Sequence, residues 1–272
     1  MDKPIGIFDS GVGGLTVARE VFNLLPHEDV VYFGDVGRYP YGGRSPEIIT
    51  KFAMQDVGLL LEHDVKYVIC ACNTVSAVAL DELKDSYKVP MIGVIHPGAE
   101  AATKATKNGR IGVIGTNATI SSNAYARSIH TFDPNLKVFS LACPLFVPLA
   151  EEGYLEKEAT YLIARDYLQT MHDVEIDTLI LGCTHYPLLK NVIAEVMGQN
   201  ITLIDSGEET ARAAYRTITE SGLLHSRASQ QPVQSGDHKY FVSDVPERFS
   251  QVATRFLGRI VDRITRVDIS TY

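Results

Sequence analysis

Apolar residues fall along the chain in two alternating rhythms. Short β-branched runs ending in Gly, Ser, Asn, Asp or Cys are followed by stretches with apolar residues every three to four positions. The first rhythm suits strands buried on both faces, the second helices that cover them, so the alternation predicts βα units around parallel sheets. Strands are predicted at Ile5 to Phe8, Val30 to Phe33, Tyr67 to Cys70, Met91 to Ile95, Ile111 to Ile114, Lys137 to Leu141, Thr178 to Leu181 and Ile201 to Ile204. Helices are predicted at Leu15 to Leu24, Ser45 to His63, Val75 to Lys84, Asn123 to Phe132, Glu156 to Met171 and Leu188 to Met197.

The pattern repeats. Ile5-Gly6-Ile7-Phe8 aligns with Ile111-Gly112-Val113-Ile114 at an offset of 106 (5 to 111), and Val31 with Val138 at 107 (31 to 138). The strand ends carrying Cys72 and Cys183 differ by 111 (72 to 183), and Ile95 and Ile204, leading to Gly98 and Gly207, by 109 (95 to 204). Chance likeness between strands of any α/β protein is the alternative, but matching in order at nearly constant offset favours duplication. The predicted fold is α/β, with two pseudo-symmetric parallel-sheet domains and an active site in the cleft between them. Residues 1–97 plus 208–272 are assigned to the first domain and 98–207 to the second. Glu208 to Ser221 and Pro246 to Thr265 read as C-terminal helices packing back on the first half. Leu223 to His238, rich in Ser, Gln and Gly, reads as a surface excursion.

Composition narrows the class. With 272 residues, 45% of them hydrophobic and 21% charged, the chain has the make-up of a folded globular protein. A net charge of −8 without a dense basic run argues against a dedicated nucleic-acid surface. No apolar stretch approaches the roughly 18–20 residues of a membrane helix, and Met1-Asp2-Lys3-Pro4 lacks a signal-peptide core, so no membrane association and a cytoplasmic location are expected. Cys70, Cys72, Cys143 and Cys183 are too few for a disulfide scaffold and read as free thiols.

Ligands of open α/β sheets sit at the carboxyl ends of strands. Those ends carry Asp9-Ser10-Gly11, Gly34-Asp35 leading to Pro40-Tyr41-Gly42, Cys72-Asn73-Thr74, Gly115-Thr116-Asn117-Ala118-Thr119 and Cys183-Thr184-His185. Cys72 and Cys183 each follow an apolar strand and precede a helix, whose N-terminus is expected to lower the thiol pKa. On opposite walls of one cleft, two thiols suit removal of a proton from one face of a stereocentre and delivery of another to the opposite face. Asp9 and His185 are placed to poise the thiols, and Asp9 also to neutralise a substrate ammonium. Ser10, Asn73, Thr74, Thr116, Thr119 and Thr184 supply carboxylate-binding groups.

Other features have blander readings. Cys70 and Cys143 read as small core side chains. Cys70-Ala71-Cys72 with His185 lacks the paired spacing of a structural zinc site, so no metal is expected. Gly11-Val12-Gly13-Gly14 lacks the Lys-Ser/Thr ending of a phosphate loop and the full dinucleotide spacing. His96-Pro97-Gly98 reads as a tight turn, His63, His130 and His225 as solvated, and Asp205 as a helix N-cap. No lysine sits in a loop prepared for pyridoxal phosphate, which favours a reaction without a cofactor.

Asp9-Ser10-Gly11-Val12-Gly13-Gly14-Leu15, Pro40-Tyr41-Gly42, Ala71-Cys72-Asn73-Thr74 and Gly182-Cys183-Thr184-His185-Tyr186-Pro187-Leu188 resemble the signature blocks of bacterial glutamate racemase. The likeness runs from Ile5 to about Ala211. It implies cofactor-independent interconversion of L- and D-glutamate, supplying D-glutamate for peptidoglycan, by a protein commonly homodimeric. It implies Cys72 and Cys183 as the acid/base thiols, assisted by Asp9 and His185. Implied substrate contacts are Asp9, Ser10, Pro40, Tyr41, Gly42, Asn73, Thr74, Thr184 and His185, with Thr116 and Thr119 beside them and Glu151 as an acidic neighbour. Gly37 and Val75 stand where the family more often has Ala, and neither removes a functional group. An aspartate racemase-like enzyme with the same chemistry is the nearest alternative. A regulatory or binding protein on this scaffold and a nucleotide-dependent enzyme are the others.

Overall fold

The computed structural model describes residues 2–229, 235–261 and 263–272. In chain order the first part runs β1 (Ile5–Asp9), α1 (Leu15–Leu24), β2 (Val30–Gly34), α2 (Pro46–Glu62), β3 (Tyr67–Cys70), α3 (Asn73–Val78), α4 (Leu80–Ser86), β4 (Met91–Gly93) and α5 (Ile95–Ala105). The middle runs β5 (Arg110–Gly115), α6 (Asn117–Ser121), α7 (Ala124–Phe132), β6 (Lys137–Ala142), α8 (Phe146–Glu151), α9 (Glu158–Asp173), β7 (Thr178–Gly182), α10 (Lys190–Met197), β8 (Thr202–Asp205) and α11 (Ser206–Glu220). The tail adds β9 (His238–Val242), α12 (Pro246–Leu257) and β10 (Ile264–Arg266).

Two parallel sheets result. One has the order β10-β9-β2-β1-β3-β4 and the other β6-β5-β7-β8. Strands β2-β1-β3-β4 of the first thus repeat the order of the second, with β1 and β5 in equivalent places. Central strands β1, β3 and β7 are buried along their whole length, which is why they read as unbroken apolar runs.

Hydrogen-bond register refines the repeat. Ile5 pairs with Val30 and Ile111 with Val138, so Val30, not Val31, is the partner of Val138. Tyr67 and Thr178 both pair with these reference positions and keep the offset of 111 (67 to 178). The fourth match does not hold: Val68 pairs with Met91 and Leu179 with Leu203, while Ile95 opens α5 and Ile204 lies inside β8. The loops differ in length between halves, and only the ladder fixes which residues correspond.

Several boundaries differ from those predicted. The strand at Met91 stops at Gly93, and His96-Pro97-Gly98 forms the first turn of α5, where the proline's missing N–H is harmless. The helix expected over Val75 to Lys84 is divided at Ala79. The one expected over Pro246 to Thr265 ends at Gly258, a left-handed C-cap, and Ile264–Arg266 is a strand. The excursion over Leu223 to His238 lies partly outside the described residues; His225 within it is buried, 3.6 Å from Asp2 and 3.5 Å from Asp29, rather than solvated.

Helices cross between the halves. α5 follows a strand of the first sheet but packs on α7, β7 and β8, whereas α11 follows a strand of the second and packs on α1 and α5. β9 hydrogen-bonds to β2, and α12 packs on α1.

Candidate active site

The carboxyl ends of β1, β3, β5 and β7 converge on one cavity of about 350 Å³, at the small end of the roughly 300–1,000 Å³ range of ligand pockets. Ser10, Pro40, Tyr41, Gly42, Cys72, Asn73, Thr74, Thr116, Glu151, Cys183, Thr184 and His185 line it. Asp9 and Thr119 stand one layer behind the wall, 1% exposed each. Tyr39, Gly43, Asn117, Pro144, Val147 and Pro148 also line it and were not foreseen. Tyr39, next to a recognised Pro-Tyr-Gly block and stacked at 6.3 Å on His185, had a signal in its position alone.

Cys72 lies two residues beyond β3 and stands at the N-cap of α3. Its Sγ lies 3.5 Å from Ser10 Oγ, to which the thiol donates. Burial, reinforced by the Asp9 charge, pushes this thiol up to about 12, despite the opposing influence of its contact with the Ser10 hydroxyl and of the Val75 and Ser10 N–H groups. The expected lowering by a helix N-terminus is therefore overturned: α3 is only six residues long, and desolvation outweighs it. Asp9 is itself raised by burial, against the pull of His185 and of the Gly14 and Gly11 N–H groups. Asp9 Oδ2 accepts from Gly11 N–H at 2.9 Å, while Oδ1 has no hydrogen-bond partner among the described residues.

Cys183 follows β7 in different company. Its Sγ lies 3.8 Å from His185 Nδ1, and His185 Nε2 lies 2.9 Å from Glu151 Oε1. Burial opposes charge on this imidazole, but its bonds to Cys183 and Glu151 prevail and raise it to about 10. The contacts around this ring thus favour its charged form, facing the second sulfur. Phe256 of α12 meets the same ring edge-on at 5.1 Å, and Arg255 donates to the backbone carbonyl of Glu151.

The walls are tied together by polar contacts. Thr16 Oγ1 donates to Thr184 O at 2.9 Å. Thr74, Thr116 and Thr119 hydroxyls form a triangle with sides of 3.0, 3.0 and 3.4 Å. Asn73 Nδ2 donates to Tyr125 Oη and Ser206 Oγ, leaving its buried Oδ1 without a partner among the described residues. The glycine run makes close contacts between halves: a Cβ on Gly13 would lie 2.2 Å from Thr184 Oγ1 and 2.5 Å from His185 Cε1.

The remaining sulfurs are buried. Cys70 sits behind Cys72 and Cys143 at the end of β6, both fully excluded from solvent. Asp205 caps α11 by accepting from the Gly207 and Glu208 N–H groups. Among the described residues no group of three or more His, Cys, Asp or Glu is arranged to hold a metal ion.

The family model for Asp/Glu/hydantoin racemases matches residues 25–214. The chain is 49% identical over 267 residues to the glutamate racemase of Geobacter metallireducens, covering 98% of this chain and 97% of that one. To the glutamate racemase of Chlorobaculum tepidum it is 50% identical over 258 residues, covering 94% and 93%. The chain belongs to the glutamate racemase family.

The structure agrees throughout its length. The glutamate racemase of Francisella tularensis, crystallised with D-glutamate, superposes with a TM-score of 0.91 at 39% identity, covering 100% of this chain and 99% of that one. Racemase membership makes the chain an isomerase of amino acids and covers both sheets and the tail. No helix among the described residues is long and apolar enough to cross a membrane.

Proposed function

We propose that this chain interconverts L- and D-glutamate without a cofactor, using Cys72 and Cys183 as paired acid and base. The observation carrying this reading is that both thiols line one cavity, each just beyond the equivalent central strand of its sheet. The Francisella relative was crystallised with D-glutamate, which supports the same ligand here.

The reaction follows from the placement. The thiolate of one cysteine takes the Cα proton, forming S–H as Cα–H breaks, and the electron pair delocalises toward the substrate carboxylate. The other thiol then gives its proton to the opposite face, leaving a thiolate, so the two cysteines end with exchanged protonation states. On the Cys183 side the His185 imidazolium, oriented by Glu151, compensates sulfur charge or supplies a proton. On the Cys72 side Asp9 and Ser10 do the corresponding work, without a cation beside the sulfur. The unpaired acceptor Asn73 Oδ1 on the cavity wall suits the substrate ammonium, with the Asp9 carboxyl behind it adding negative potential. The Thr74 and Thr116 hydroxyls, Thr184 and the Tyr41 and Gly42 N–H groups suit its carboxylates. Tyr41 serves through its backbone, because its hydroxyl is bonded to Asp35 and Asp56.

The product assignment extends to cellular role: D-glutamate for peptidoglycan, made in the cytoplasm by a homodimer. Residues 1–97 with 208–272, and 98–207, are proposed as the domains; the two internal boundaries fall in the first turns of α5 and α11. The test is loss of optical rotation of L-glutamate, D-glutamate and L-aspartate by the purified chain in deuterated water. Racemisation of both glutamates with deuterium at Cα, and none of aspartate, is expected. Turnover of aspartate instead would replace the substrate assignment, and inertness toward all three would leave a binding role.

A further inference from the structure

Behind the Pro40-Tyr41-Gly42 wall lies a cluster of charges that proton transfer does not use. Asp35 follows β2, Asp56 comes from α2, and both side chains are fully buried. Arg38 Nε donates to Asp35 Oδ2 at 2.6 Å, and its Nη2 donates to Asp56 Oδ1 at 2.9 Å. The Tyr41 phenol is in bonding contact with Asp35 Oδ2 and lies 3.2 Å from Asp56 Oδ2. Arg38 is also stacked 4.2 Å over the Phe52 ring, and the Tyr41 ring packs on the same phenylalanine.

Proton counting decides how these contacts are shared. A phenol has one proton, yet its oxygen faces two carboxylate oxygens, and the site holds two carboxylates against one guanidinium. Two buried anions sharing one cation would leave an uncompensated charge and a repulsive O···O contact. One added proton removes both. We propose that Asp35, Arg38, Tyr41 and Asp56 form a closed ring, with the extra proton on Asp56, that fixes the Tyr41–Gly42 backbone N–H groups against the substrate carboxylate.

In this ring Asp56 Oδ2–H donates to Tyr41 Oη, Tyr41 donates to the Asp35 carboxylate, and Arg38 bonds both acids. The net charge is zero, and every proton among the four side chains' mutual contacts has one acceptor. Burial, with the Asp35 charge next in weight, pushes the Asp56 carboxyl well above its ordinary value, in keeping with that placement. Asp35 N–H also donates to Asp9 O at 3.0 Å, so the ring is anchored to the strand end behind Cys72. Asp35 and Asp56 are positioning residues: they act through Tyr41 and do not line the cavity.

The inference rests on the glutamate reading, and the wild-type chain's racemisation of L-glutamate tests that reading separately. Steady-state KM and kcat are then measured for four variants, with folding checked by circular dichroism. Asp56→Asn presents an amide N–H to Tyr41 and a carbonyl to Arg38, the pattern of the protonated acid, and is expected to keep KM within about twofold of wild type. Asp56→Ala cannot and is expected to raise KM. Asp35→Asn either turns an amide N–H against Arg38 Nε–H or buries it without an acceptor, and Tyr41→Phe opens the ring. Both are expected to raise KM at least tenfold while kcat changes less than threefold. Equal KM rises in Asp35→Asn and Asp56→Asn would overturn the proton assignment. An unchanged KM in folded Tyr41→Phe would overturn the positioning role; that variant, which removes only a hydroxyl, decides alone if Asp35→Asn does not fold.

Discussion

The Cys72 and Cys183 ends of the cavity share a thiol, a strand position and a following helical turn, yet differ in electrostatics. Burial, reinforced by the charge of Asp9, pushes the Cys72 thiol up to about 12 against the opposing Ser10 hydroxyl. Cys183 faces an imidazole raised to about 10 by that sulfur and by Glu151. Duplication of a fold therefore reproduced the geometry of two opposed acid/base groups and left their environments free to diverge. Divergence need not bias the reaction: the enantiomers are equal in free energy, so any change in kcat/KM must be the same in both directions, and only kcat and KM separately can differ.

Replacing either thiol breaks the comparison outright. Cys72→Ser and Cys183→Ser are each expected to lower kcat by roughly 10²–10⁴-fold in both directions with the fold intact, measured by circular dichroism at substrate wavelengths. Normal turnover in either variant would remove that cysteine from the chemistry.

Substituting the assisting groups sharpens it. His185→Asn is expected to cost about 10²-fold in kcat and Asp9→Asn about tenfold, since His185 touches its sulfur while Asp9 stands behind the wall. Each should slow one direction's kcat more than the other's, with opposite preference. Identical directional ratios would mean that the two ends do not serve separate thiols.

His185 also predicts a pH dependence of stability. Its folded pKa, about 10, exceeds the unfolded 6.5, so the stability it contributes is complete below about pH 6.5 and is lost as pH rises through 10. The gap in urea midpoint between wild type and His185→Asn should be widest near pH 6 and shrink by pH 10. A gap constant with pH would assign the side chain a packing role only.

Smaller effects are expected away from the reacting sulfurs. Cys143→Ala, which leaves a small buried void, should cost about 1–2 kcal/mol of unfolding free energy with kcat nearly unchanged. Arg255→Ala, releasing a contact between exposed groups at the end of α8, should cost about 1 kcal/mol or less and modestly lower kcat through Glu151. Loss of activity in a folded Cys143→Ala would show that the wrong sulfurs had been paired.

Legibility in the sequence followed the physics of each feature. Fully buried parallel strands announce themselves, so β1, β3, β5 and β7 were readable, and with them the residues at their ends. The tail strands β9 and β10 were not: His238–Val242 mixes polar and apolar residues, and only Tyr240 and Val242 of it are buried. The contribution of α12 was equally hidden, since Arg255 and Phe256 reach Glu151 and His185 across more than seventy residues of chain. Tyr39 and the Asp35–Arg38–Asp56 cluster lay within or beside a readable block, but their roles depend on which atoms meet.

The sequence by itself determined the alternation of strands and helices, the duplication, and two thiols on matched strand ends, because periodicity and local order are written in neighbouring residues. Only the tertiary structure decided the upward push on the Cys72 thiol, the buried pairing of His185 with Glu151, and the proton count around Tyr41. Those depend on desolvation and on distances between side chains far apart in the chain, which no local pattern encodes.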